Sequence, residues 1–237
     1  MIMVADVIDY EIIGHDLQIV EVELDPNEAV RAEAGTMLYM DREIEMQTNT
    51  GGGLFKGFKR MLTGAGFFIT NFTNTGHRKA KVAFSAPFPG KIMPIDLTQH
   101  NGQLLCQKDA FLCAAGGIDV DIAFTKKLGS GFFGKEGFIL QKLSGDGMAF
   151  VHGGGTIVKK VLTEGDVLRV DAGCLVGFET SINFDIQFVG GFRNALFGGE
   201  GIFFAQMTGT GAVYIQSLPI SRLADRMLAF ANTDSNR

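Results

Sequence analysis

The chain has 237 residues, with 21 Lys and Arg against 26 Asp and Glu for a formal charge of −5, and is 46% apolar and 20% charged. That composition describes a globular protein long enough to bury a core without disulfide staples, and its acidity argues against a nucleic-acid partner held through phosphates, which calls for clustered Lys and Arg. Glycine fills 32 positions and proline only 5, so the excess glycine points to an ordered fold with many turns rather than to a low-complexity segment.

From the N-terminus, Asp6 and Asp9 stand where a signal peptide needs basic residues, and no apolar run approaches the ~18 residues of a membrane span. The expected location is therefore cytoplasmic. Residues 24–27 (LDPN), 99–102 (QHNG) and 163–166 (TEGD) carry turn chemistry and read as hairpin cues. Residues 54–62 fit a short amphipathic helix despite Gly57. Residues 67–72 (FFITNF) and 138–143 (FILQKL) read as strands, each forming a hairpin with the β-rich run that follows it. A longer helix is expected over 221–230, with Leu223, Met227 and Phe230 on one face, and a frayed tail over 232–237.

The most informative pattern is internal. Gly66, Gly137 and Gly201 are each followed ten residues later by another glycine, Gly76, Gly147 and Gly211, and then by an apolar run beginning near Lys81, Met148 and Ala212. Successive anchors are 71 and 64 residues apart, the scale of a small β module. Six glycines, Gly66, Gly76, Gly137, Gly147, Gly201 and Gly211, are thus expected at structural turns, where a positive φ favours a residue without Cβ. This reads as one all-β domain over 1–237, built of three tandem modules of antiparallel strands, approximately 10–100, 101–165 and 166–220. A short helix and tail close it.

The segments at 33–37 (EAGTM), 51–54 (GGGL), 64–68 (GAGFF), 89–91 (PGK) with 95–97 (IDL), 110–114 (AFLCA) and 199–201 (GEG) resemble a family once catalogued as a domain of unknown function, which includes the eukaryotic altered-inheritance-of-mitochondria proteins. The resemblance covers about residues 10–220. It implies a double-stranded β-helix like that of the tryptophan RNA-binding attenuation protein, triplicated within one chain and assembled as a homotrimer in a pseudo-ninefold ring. The bacterial members have no established enzymatic activity, and the mitochondrial branch is linked to inner-membrane organisation. No catalytic residue comes with the resemblance.

The residues themselves supply little catalytic chemistry. His15, His77, His100 and His152 are isolated, with no His-x-His or His-Glu-x-x-His spacing, so no metal site is expected; a strand residue at a sheet end is the reading for His152. Cys106, Cys113 and Cys174 lie in apolar runs at wide spacing and read as buried thiols. The glycine runs at 51–53 and 153–155 lack the Gly-Lys-Ser/Thr ending of a phosphate loop. Asp119 and Asp121 alternate with Ile118, Val120 and Ile122, which puts both carboxylates on one solvent face.

With no catalytic, metal or cofactor motif, the expected function is that of a non-enzymatic, ring-forming scaffold or interaction protein. The alternative is a small-ligand-binding protein with pockets between modules or subunits. Phe55, Phe58, Phe132, Phe133 and Phe197, in glycine-rich segments ahead of the anchor glycines, are the expected contacts with a membrane surface or an apolar protein partner, near Lys56, Lys59, Arg60 and Arg193. That contact would place the protein at the membrane periphery.

Overall fold

A computed structural model describes residues 4–48, 69–126, 137–189 and 202–233. The described residues form four antiparallel sheets and one helix. Sheet A runs in the order β1 (Asp9–Ile13), β2 (Ile19–Leu24), β7 (Ala80–Ser85), β4 (Met37–Met40). Sheet B is β5 (Ile44–Thr48), β6 (Ile69–Asn74), β3 (Ala29–Glu33), β10 (Phe111–Ala115), β13 (Met148–Gly154), β8 (Gly90–Asp96). Sheet C repeats that layout with β11 (Asp119–Lys126), β12 (Phe138–Ser144), β9 (Gln103–Gln107), β16 (Leu175–Glu179), β19 (Gly211–Gln216), β14 (Ile157–Leu162). Sheet D has three strands, β15 (Val167–Asp171), β18 (Ile202–Gly209) and β17 (Ile182–Val189), and the chain then forms helix α1 (Ile220–Thr233).

Period-two patterning drives this arrangement. In β2 the residues Val20, Val22 and Leu24 are buried while Ile19, Glu21 and Glu23 are half-exposed, and β3 and β6 alternate in the same way. Strands nearer the middle of the molecule are buried on both faces, as in β10, where all five residues are buried. Phe72, Phe84, Phe138, Phe150 and Phe178 are the largest fully buried side chains of the core. The result is one compact all-β domain.

The turn-rich segments differ from the hairpins expected of them. Strand β2 lies in sheet A and β3 in sheet B, so 24–27 carries the chain between sheets; 99–102 leads from sheet B to C and 163–166 from C to D. The same holds for the pairs β6 and β7, β12 and β13, and β18 and β19, whose members occupy different sheets. Turn chemistry reverses or bends the backbone, as the left-handed Asn27 (φ 73) and Asn101 (φ 53) do here, but it does not choose the strand's partner. Among the described residues, four consecutive pairs do form hairpins: β1 with β2, and β5 with β6, β11 with β12 and β17 with β18, of which the last three flank the segments 49–68, 127–136 and 190–201.

Three short 3-10 turns recur, Ala34–Thr36, Lys108–Ala110 and Ala172–Cys174, each between two strands that belong to different sheets. Each is followed by a strand with a bulge at the same place. The register slips between Met37 and Tyr39, between Phe111 and Cys113, and between Leu175 and Gly177.

Candidate functional site

Sheets B and C each consist of two three-stranded halves joined at a central seam. In sheet B, β10 pairs with β3 so that Cys113, Ala114 and Ala115 face Ala32, Arg31 and Val30. In sheet C, β16 pairs with β9 so that Gly177, Phe178 and Glu179 face Cys106, Leu105 and Leu104. Arg31 reinforces the first seam: its guanidinium donates to the carbonyl of Ile118 at 2.7 Å and lies 3.4 Å from the Asp119 carboxylate. Sheets A and D have no such seam. Sheet A ends at β4 and sheet D at β15, and β4 exposes Leu38 (52%) and Tyr39 (42%) where the corresponding Leu112 and Cys113 of β10 are buried.

Two adjoining cavities, about 270 and 480 Å³, share Phe88, Asp109, His152 and Ile220 in their linings. The smaller lies between the 3-10 turns at 108–110 and 172–174, against the start of α1. His152 sits in the interior of β13 opposite Ile92 and is 3% exposed, so it is a core residue rather than one at a sheet end. Its ring meets Phe88 edge-on, with centroids 4.6 Å apart, and its Nδ1 has no hydrogen-bond partner among the described residues. Burial pulls its pKa down to about 4, so the imidazole is neutral at pH 7. Nearby, Gln216 is bonded at both ends of its amide: its Oε1 accepts from the Gly154 amide at 2.7 Å and its Nε2 donates to the Gly173 carbonyl at 2.9 Å.

Other titratable groups serve structure. Cys106, Cys113 and Cys174 are free and buried, and desolvation pushes the Cys106 thiol up to about 12 and raises the other two. His100 Nδ1 lies 2.7 Å from the Glu179 carboxylate, a pairing that isolated positions in the sequence did not signal. Lys79 bridges Asp9 and Glu23, and Lys81 bonds Glu21, whose carboxyl is thereby held below its ordinary value. Among the described residues, no three His, Cys, Asp or Glu side chains are grouped to hold a metal ion. Asp119 and Asp121 are both exposed on one face of β11.

Of the turn glycines, Gly76 lies in the β6–β7 turn, where its amide donates to Asn74 Oδ1 at 2.9 Å; Gly147 precedes β13; Gly211 opens β19; and Gly137 has φ 83 just before β12. Gly66 and Gly201 lie outside the described residues, as do Phe55, Phe58, Phe132, Phe133 and Phe197 and the helix expected over 54–62. The C-terminal helix forms over Ile220–Thr233, anchored by Arg222 on Asp171 at 2.6 Å, and leaves Met227 and Leu228 exposed. Among the described residues, no helix is long and apolar enough to cross a membrane.

These features define an all-β protein in which sheets B and C each contain a β3–β10 or β9–β16 seam, sheets A and D stop at β4 and β15, and no metal-holding cluster is found among the described residues. The family described as mitochondrial biogenesis AIM24 matches residues 10–218, and the chain belongs to it. It is 26% identical over 226 residues to an uncharacterized protein of Streptococcus pyogenes serotype M6, covering 92% of this chain and 88% of that one. The crystal structure of the Streptococcus pyogenes protein SPYM3_0169 superposes with a TM-score of 0.77 at 23% identity, covering 94% of this chain and 99% of that chain. At that identity the likeness is one of fold.

Proposed function

We propose that the protein is a non-enzymatic scaffold that works as a closed ring of three of its own copies. The observation that carries this reading is the mismatch between sheets: A and D stop at β4 and β15, the strands that correspond to the two sides of the seams in B and C. Joining sheet D of one copy to sheet A of the next gives every copy a third seam and removes two bare ladder edges, which all-β proteins otherwise have to protect. The shared order of strand, 3-10 turn and bulged strand supports three tandem modules, over about 10–100, 101–165 and 166–220, in the manner of a triplicated double-stranded β-helix. Light scattering tests the ring: a mass three times 25.6 kDa is expected, and a monomer at micromolar concentration would refute it.

The ring is placed in the cytoplasm, at the membrane periphery, where the phenylalanine-rich segments and the exposed Met227 and Leu228 of α1 would supply apolar contacts. Co-sedimentation with anionic liposomes tests this, with no binding to any lipid mixture counting against it. A second reading, binding of a small ligand, is favoured by the cavity beside His152, whose buried Nδ1 has no partner among the described residues. Native mass spectrometry after gentle purification separates the two readings, since a retained metabolite appears as added mass on each copy.

A further inference from the structure

The ring reading leaves open how two copies meet, and the internal seams determine it. Residues 34–36, 108–110 and 172–174 form equivalent turns, so β3, β9 and β15 correspond, as do β4, β10 and β16. The bulges fall in step with this correspondence, at Leu38, Leu112 and Val176. Both internal seams obey one register. The third residue of the strand that follows the 3-10 turn, Cys113 or Gly177, faces the fourth residue of the partner strand, Ala32 or Cys106. Carried to the open edges, that register sets Tyr39 of one copy opposite Val170 of the next and Met40 opposite Arg169.

Arg169 then occupies the place that Arg31 holds in sheet B. Arg31 reaches across its seam to the Ile118 carbonyl and the Asp119 carboxylate. The corresponding residues beside β4 are Ile44 and Glu45, and the turn that presents them is built the same way: Ile44 N–H donates to the Asp41 carbonyl at 3.1 Å, as Ile118 N–H donates to the Ala115 carbonyl at 3.2 Å. Within one copy Arg169 is exposed and donates to the amide oxygen of Gln206 at 3.1 Å, while Glu45 is exposed on β5. We infer that the open edge β4 docks a second copy of this chain through β15, in the register Tyr39 to Val170, locked by an ion pair from Arg169 of one copy to Glu45 of the next.

Both edges fit such an occupant. An antiparallel strand satisfies the outward N–H and C=O groups of β4 and β15, and Leu38 and Tyr39 lose solvent as Leu112 and Cys113 do at the internal seam. Opposite charges at the two ends of the contact favour this register over a slipped one, because a one-residue slip sets inward residues of one strand opposite outward residues of the other and separates the pair.

The inference rests on the ring reading, and the test separates them. The double variant Tyr39→Cys with Val170→Cys should form disulfide-linked oligomers on mild oxidation, since directly opposed strand residues lie within bridging range. Each single variant should not, and neither should Met40→Cys with Val170→Cys. The charge reversals Arg169→Glu and Glu45→Arg should each raise the concentration at half-assembly by about tenfold or more, as like charges meet at every seam of the ring, and their combination should restore it. Circular dichroism of each variant identifies any that fails to fold. An oligomeric wild type, with no cross-link in the folded Tyr39→Cys, Val170→Cys variant, overturns the register and leaves the ring standing; a cross-link with no rescue by the double reversal overturns the ion pair; a monomeric wild type overturns both readings.

Discussion

The side-chain nitrogen of Asn74 donates to the carbonyl oxygen of Leu24 at 2.8 Å, joining the ends of β6 and β2 across fifty residues of chain. The same nitrogen donates to the Arg78 carbonyl at 2.8 Å, and Asn74 Oδ1 accepts from the Gly76 amide. Asn74 is fully buried, so no water can replace these bonds. Asn74→Leu should therefore cost about 2–4 kcal/mol, several hydrogen bonds' worth, measured by urea denaturation. A change below about 0.5 kcal/mol would show that the three bonds add little.

His152 should make stability depend on acid. Its folded pKa of about 4 lies below the unfolded value of 6.5, so the unfolded chain binds the extra proton between those limits. The contribution is intact above pH 6.5 and is lost as pH falls toward 4, amounting to at most about 3 kcal/mol. In His152→Gln that component should vanish, so the difference in unfolding free energy between wild type and variant should shift steadily from about pH 7 to about pH 4. A difference independent of pH would contradict the depressed pKa.

None of the three cysteines should react with a thiol reagent in the native state, because Cys106 and Cys113 are fully buried and all three thiols are shifted upward. Three equivalents should titrate in denaturant. Fast labelling of Cys174 without unfolding would show that the 3-10 turn at 172–174 opens locally.

Two glycine substitutions should act in opposite directions. A Cβ on Gly154 would overlap the Leu218 carbonyl, whereas a Cβ on Gly35 meets no atom of the described residues within 4 Å. Gly154→Ala should destabilise by about 1–3 kcal/mol. Gly35→Ala, by restricting the unfolded chain, should be neutral or stabilising by about 0.4–1 kcal/mol. Thermal melts of the two variants read both signs.

The strands were legible because alternation such as Val20, Val22 and Leu24 is a local signal, and so was the amphipathic helix at the C-terminus. Partner choice was not. The turns at 24–27 and 99–102 look like hairpin turns because the chemistry of Asn and Gly is the same whether the chain doubles back or crosses to another sheet. The site was less legible still. His152 differs from an ordinary strand histidine only through the strands β8 and β10 on either side of it, and Arg31 meets Asp119 only after 88 residues of chain have folded.

The corner between β6 and β7 has a use of its own. Nine positions separate Thr73, which faces Ala29, from Val82, which faces Met40, whereas only five separate Ser144, facing Gln103, from Ala149, facing Ala114. The flanking pairings correspond despite the four extra residues, which shows that this corner absorbs length without disturbing the ladders. The amide of Asn74, bonded to the Gly76 amide and the Arg78 carbonyl, therefore acts as the clasp that holds the extra length of this corner in one shape.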